Sequence, residues 1–378
     1  MTSPGAKITR AYAHRTQMPL KEPFVIASQA IVNCEHVLCC VETDVGVNGI
    51  GSVATIPAFM GETGATIAAA LDHLLPMVVG ASPFEVDKLI QHLDKELPGN
   101  NSAKAAIDLA CHDAMGKIAG LPLHRLLGGA YRTRVPVAWI IGLKGVSETV
   151  EEAVARYRMG FKVLKIKIGH DDADDREKIR LIRHELGDEV IIRADANCAY
   201  TFDRGLRVLG RMEQFGLELI EQPCRQTDIG GMAKLRQALR TPILADESVM
   251  SPEDAMRIVA ERAADIINIK VGKVGGICKA RRIAAIADAA GLPIVMSGNL
   301  ELGPGIAASC HVAAVLQNAT YATDIFVGGH KHSSDLIRED WDEDGMTIRV
   351  PDATGLGVTL RSEFAPESWQ WKIGAFST

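Results

Sequence analysis

From Arg134 onward the chain settles into one rhythm, a strand followed by a helix, repeated seven times. "VPVAWII", "KVLKIKI", "VIIRADA", "LELIEQP", "PILADES", "DIINIKV" and "LPIVMSG" are short apolar runs, each followed by a helical pattern, and a last apolar piece lies near residues 320–325. Units of about 25 residues alternating this way need parallel strands joined by crossover helices. Their number favours a closed (β/α) barrel over an open sheet. No glycine-rich fingerprint follows a strand, which argues against a dinucleotide-binding fold.

The residues before this repeat read differently. Residues 6–15 alternate like a strand, 16–30 carry two prolines and read as a loop, and "HVLCCVETDVGVNGIGSVA" from His36 reads as a hairpin. Residues 53–63 read as a second loop. Helical patterns follow over 65–79, 83–93 and 102–119, the last with Ser102 as N-cap and Gly120 as stop. The expected division is an α+β capping domain over 1–133, the barrel over 134–325, and a closing segment over 326–378. In that segment "DATGLGVTL" reads as a terminal strand returning to the cap.

Composition excludes several classes of partner. Lys+Arg 41 against Asp+Glu 47 gives a net charge of −6 with no basic run, so neither nucleic acid nor an anionic membrane is expected. No apolar run is long enough to span a bilayer, and the N-terminal stretch lacks the apolar core of a secretory signal. The eight cysteines are scattered without metal-ligand pair spacing, which fits free thiols in a reducing cytoplasm.

In such barrels chemistry sits at the C-terminal ends of the strands. Those ends carry Lys165 and Lys167, Asp195 and Asn197, Glu221, Asp246 and Glu247, Lys270, then Asn299 and Glu301. Steps of 26, 25 and 24 residues separate Asp195, Glu221, Asp246 and Lys270, one βα unit each. Three consecutive strands thus bring one carboxylate apiece to one rim. Hard oxygen ligands of this kind suit Mg²⁺. Lys165 and Lys167 share one face of their strand, since side chains alternate. A like-charged neighbour and a divalent cation both lower a lysine pKa toward that of a working base. The chemistry that fits is removal of the proton next to a substrate carboxylate, with the cation stabilising the enediolate.

"KIKIG", "RADAN", "LIEQP", "LADES", "NIKVGKVGG" and "SGNLELG" resemble, in order and spacing, the enolase superfamily, and most closely its muconate-lactonizing-enzyme subgroup within the mandelate racemase/muconate lactonizing enzyme family. The resemblance spans essentially the whole chain, including "AAIDLACHDAMGKIAGLPLHRLLGG" and the closing "GLGVTL". It implies a modified TIM-type barrel with an N-terminal α+β cap completed by the C-terminal segment. It also implies the superfamily's established mechanism, a lysine base with Mg²⁺. On that resemblance Asp195, Glu221 and Asp246 hold Mg²⁺, with Mn²⁺ as an alternative. Lys167 and Lys270 are the opposed acid/bases, Lys165 is an electrostatic partner, and Asn197 and Glu247 stand behind the ligands. The loops at 16–30 and 53–63 close over the substrate with Phe24, Phe59 and Met60. The resemblance further implies a homo-oligomer, often an octamer.

The expected enzyme is a cycloisomerase or racemase/epimerase acting on a small carboxylate. The alternatives are a syn-dehydratase of a hydroxy or sugar acid, a Schiff-base aldolase, and a catalytically silent binding barrel. Dipeptide epimerases of this subgroup carry D-x-D at the end of the eighth strand. Here the stretch reads Ala322–Thr323–Asp324–Ile325–Phe326, so the pair is missing and a dipeptide substrate is disfavoured. Asn299 and Glu301 join the site as substrate contacts, although a carboxylate at a helix start is favoured by the dipole alone. His330 and His332 read as a solvated loop rather than metal ligands. The acidic run 171–175 reads as the N-terminal face of a helix.

Overall fold

The computed structural model describes residues 5–369 and 373–377. The cap is a four-stranded antiparallel sheet in the order β13-β1-β2-β3: β1 is Ile8–Ile26, β2 Gln29–Thr43, β3 Asn48–Ala54 and β13 Ile373–Ser377. Helix Asn101–Ala119 lies across β3, and two glycines let it approach. A Cβ on Gly49 would stand 2.1 Å from the Ala110 carbonyl oxygen, and one on Gly51 2.2 Å from that of Ala106. Only a glycine face beneath an alanine-rich helix packs this closely. The helix ends at Gly120, in the left-handed conformation, as its sequence implies. Its N-cap is Asn100 instead of Ser102, whose hydroxyl donates to Glu62.

Residues 16–30 are a continuation of the β1–β2 hairpin, not a loop. The prolines are accommodated by a register jump, from Pro19↔Asn33 to Phe24↔Ile31. Through that bulge β1 changes partner: Leu20 bridges His332, the Lys21 N–H donates to the Lys331 carbonyl, and the Ser333 N–H donates to the Pro19 carbonyl. Proline, lacking an N–H, suits positions where the ladder is broken. Residues 53–63 contain the end of β3 and a short helix, Pro57–Met60, which holds Phe59 and Met60 in place.

Seven parallel strands follow in consecutive order: β5 Trp139–Ile141, β6 Val163–Lys167, β7 Ile191–Asp195, β8 Leu217–Glu221, β9 Ile243–Ala245, β10 Ile266–Lys270 and β11 Ile294–Ser297. The first run is split, because β4 (Arg134–Pro136) pairs with β12 (Thr347–Arg349) outside the barrel. The last apolar piece closes the ring as an eighth stave of single bridges, Val137↔Thr323 on one side and Ser297↔Asp324 on the other. "DATGLGVTL" is not a strand. It contributes the isolated bridges Pro122↔Gly355 and Ile337↔Leu360, and the strand that returns to the cap is β13.

Cap and barrel are joined by buried polar contacts. Asp108 accepts the Ile277 and Cys278 N–H groups at the start of helix Ile277–Ala289. The Ser52 hydroxyl donates to Leu302 and accepts from the Gly305 N–H. Asp171 caps helix Asp172–Leu186 by accepting from Ala173 and Asp174. Among the described residues no single helix is long and apolar enough to cross a membrane.

Candidate active site

The barrel strands deliver their C-terminal side chains to one buried cluster. Lys165 Nζ lies 2.9 Å from Glu221, 2.6 Å from Asp324 and 3.3 Å from Asp195. Lys167 Nζ donates to Asp195 at 2.6 Å and to Asn197 Oδ1 at 2.7 Å. On the other side Lys270 Nζ is 2.7 Å from Asp246 and sits 4.1 Å from the centre of the Phe59 ring. β6 and β10 are four staves apart in a ring of eight, so Lys167 and Lys270 enter from opposite walls.

Strand ends that present side chains this way need unusual backbone. Among the described residues six non-glycines have positive φ, and four of them, Asn197, Cys198, Gln222 and Leu300, directly follow barrel strands. Strain of this kind collects at functional sites. Gln222 puts its amide oxygen between the Asp246 and Ser248 N–H groups, which fixes the turn that carries Asp246.

Electrostatics sort the carboxylates. Burial raises the Asp195 carboxyl, but Lys167 and Lys165 overcome it and hold the group below its usual range. Asp246 is likewise opposed by burial, yet Lys270 and Lys273 hold it well below the usual carboxylate range. Burial and then Asp195 push Glu221 up to about 8, and burial with Asp246 and Asp195 pushes Glu247 up to about 7. Burial works to lower Lys165 and Lys270, but the surrounding carboxylates outweigh it, and both stand above their usual values. The like-charged neighbour is the weaker influence because each ammonium touches at least one carboxylate.

The other expected contacts are largely assembled. Asn197 donates to Glu247 at 2.9 Å, and the Asn299 N–H donates to Glu301. Asn299 Nδ2 lies 3.3 Å from Met60 Sδ, so Phe59 and Met60 both reach the Lys270 side. Phe24 stands apart from them, edge-on to Phe326 at 6.3 Å. Sequence reasoning missed three groups. Lys273, fully buried, donates to the Asp246 carboxylate and its carbonyl oxygen. Asn268 donates to Glu221 at 3.0 Å, and Asp324 anchors Lys165. Lys273 lies three residues past Lys270 within "NIKVGKVGG", and that spacing is the available signal. The expected solvated loop at 330–332 is packed inward instead, with Lys331 and His332 buried and His330 half-buried. His330 lies 3.2 Å from Glu343, and His332 is 1% exposed under the bulged hairpin.

The donor set fits a hard divalent cation. Asp195, Glu221 and Asp246 are buried side by side, and the buried Glu247 Oε2 and Asn299 Oδ1 have no hydrogen-bond partner. Excess negative charge and unpaired oxygens at one rim are what such an ion relieves.

Two family models match the chain: the mandelate racemase / muconate lactonizing enzyme N-terminal domain over residues 8–128, and the enolase C-terminal domain-like model over 148–364. The L-Ala-D/L-Glu epimerase of Bacillus subtilis is 34% identical, with 93% of this chain and 96% of that protein aligned. Muconate cycloisomerase 1 of Pseudomonas putida is also 34% identical, over 90% of this chain and 92% of that one. A solved dipeptide epimerase from Enterococcus faecalis, complexed with Mg and the dipeptide L-Leu-L-Tyr, superimposes with a TM-score of 0.88 at 31% identity, covering 93% of this chain and 99% of its own.

Proposed function

The chain belongs to the mandelate racemase/muconate lactonizing enzyme family of the enolase superfamily and is an isomerase of that superfamily, and from that premise we propose a Mg²⁺-dependent racemase or epimerase acting at the α-carbon of a small carboxylate. The observation that carries this reading is the placement of Lys167 and Lys270 on opposite walls. One-sided chemistry needs one base, whereas inversion needs a base on one face and an acid on the other. Lys167 Nζ takes the α-proton from one face and Lys270 Nζ returns a proton to the other; for the opposite enantiomer the roles exchange. Lys165, held by Glu221 and Asp324, keeps a fixed positive charge beside Lys167. Asp195, Glu221 and Asp246 would hold Mg²⁺ or Mn²⁺, which supplies stabilisation of the charge growing on the substrate carboxylate. Asn197 and Glu247 orient the carboxylates, and Asn299 and Glu301 border the substrate. Phe59 and Met60 cover the Lys270 side and exclude water, with Phe24 at the opposite lip.

The stretch 322–326 carries a single acid, Asp324, and Lys165 holds it at 2.6 Å, so a free ammonium on the substrate lacks a pair of carboxylate partners. An uncharged or acylated α-substituent suits this mouth better. Cycloisomerisation is the second reading, favoured by the apolar Phe24, Phe59 and Met60. It needs only one of the lysines to move the proton.

Exchange of the α-proton in D₂O, followed by NMR, separates the two. Lys270→Ala should still exchange the enantiomer facing Lys167 but fail to invert it, and Lys167→Ala should show the mirror preference. Inversion should fall about 10²–10⁴-fold in each. Wild-type exchange of both enantiomers in both variants would remove the lysines from the reaction.

A further inference from the structure

A second cluster of ligating side chains lies outside the carboxylate rim, where the cap hairpin meets the segment after the eighth stave. Cys34 and His36 are two residues apart on β2 and so share a face. The Leu20↔His332 bridge brings His332 over them. One ligand atom from each of Cys34, His36 and His332 lies within 4.8 Å of the others, and all three residues are buried. A tetrahedral ion bonded at about 2.0–2.3 Å draws such donors closer by small side-chain rotations.

Both ring nitrogens of the fully buried His36, and Nε2 of His332, have no hydrogen-bond partner. A buried imidazole bonded to nothing is costly, and buried polar groups are otherwise nearly always satisfied. No hydrogen bond within the cluster accounts for it: the Cys34 thiol faces the Glu35 and Thr55 carbonyl oxygens, each at 3.8 Å. Met18 pairs directly across the strands with Cys34. It is buried, and its Sδ lies 3.7 Å from the Ser333 hydroxyl, so a thioether stands on the same face.

We propose that Cys34, His36 and His332, with Met18 as the soft fourth donor, form a binding site for a borderline-soft divalent cation of the zinc type. The donor chemistry separates it from the rim. Thiolate and imidazole select zinc-like ions, while three carboxylates suit Mg²⁺. Burial pushes His36 down to about 3 and His332 down to about 4, so both rings are neutral ligands near pH 7. Burial and then Glu301 push the Cys34 thiol up to about 12. The ion therefore displaces the thiol proton: the S–H bond breaks, a metal–sulfur bond forms, and one proton passes to solvent. Bound there, it ties β2 to the 331–333 segment.

Co²⁺ is the probe, added in excess Mg²⁺ both to the native protein and during refolding. The wild type should take up one Co²⁺ with a near-ultraviolet thiolate charge-transfer band and tetrahedral visible bands. Zn²⁺ should displace it and raise Tm. Cys34→Ser should lose the band and the Zn²⁺-dependent rise in Tm. His332→Ala should keep the thiol and bind at least about tenfold more weakly, and it carries the test if Cys34→Ser does not fold. The absence of a thiolate band under both loading conditions, or its persistence at full strength without Cys34 or without His332, would overturn the assignment.

Discussion

At Glu221 two opposing influences meet: burial beside Asp195 pushes the carboxyl up to about 8, while Lys165 at 2.9 Å pulls it down. A cation at the rim favours the ionised form. Glu221→Gln removes that charge while keeping the shape that Asn268 bonds. The variant should fold yet bind Mg²⁺ much more weakly by calorimetry; unchanged affinity would contradict the ligand set. His311 gives a pH dependence remote from this rim. Its Nε2 lies 3.1 Å from the Leu356 carbonyl oxygen, and its Nδ1 accepts the His124 N–H. Burial pushes the ring down to about 4. The unfolded chain, titrating near 6.5, binds the proton more readily, so stability is complete above about pH 6.5 and is lost as pH falls toward 4, by up to about 3 kcal/mol. Urea unfolding of His311→Gln should show a shallower loss between about pH 7 and pH 5 than the wild type. The rim acids and lysines were legible in the sequence because a strand end at a regular interval tells where a side chain arrives. Asn268 and Asp324 were not, since each matters through a partner about two or more βα units away.

The hairpin β1–β2 shows what a sequence pattern hides. Pro19 and Pro23 signal a break in pairing, and a break is what occurs, but β1 mends it by pairing with 331–333. That partner lies some 300 residues downstream, beyond any local pattern. The same distance concealed the Cys34–His36–His332 cluster, because only C-x-H is visible locally. Helix Asn101–Ala119 on β3 was easier to read, since its start, stop and small residues are local. Gly51→Ala should force the helix from the strand and cost about 1–3 kcal/mol or more. Guanidinium unfolding should show a lower midpoint with an unchanged slope, while an unshifted midpoint would mean the helix can yield freely.

Across the whole molecule, cap and barrel share their polar anchors at Asp108 and Ser52, so the Phe59–Met60 cover is held against the rim by both. We further propose that copies of this chain associate as a homo-oligomer. Light scattering at micromolar concentration should give a multiple of the 40.6 kDa chain mass, and a monomer mass would end that proposal. The barrel was legible because its repeat is local and periodic, while the closing strand was misplaced because "DATGLGVTL" reads like one yet meets its neighbours only in the single bridges Pro122↔Gly355 and Ile337↔Leu360. The true closing strand, β13, lies against β1, so the first and last strands of the fold are partners. During synthesis the barrel's eight staves are all made while one edge of β1 still waits. Residues 373–377 must emerge from the ribosome before that edge is covered, and until then the nascent chain carries an open strand that a chaperone, or another copy, can find first.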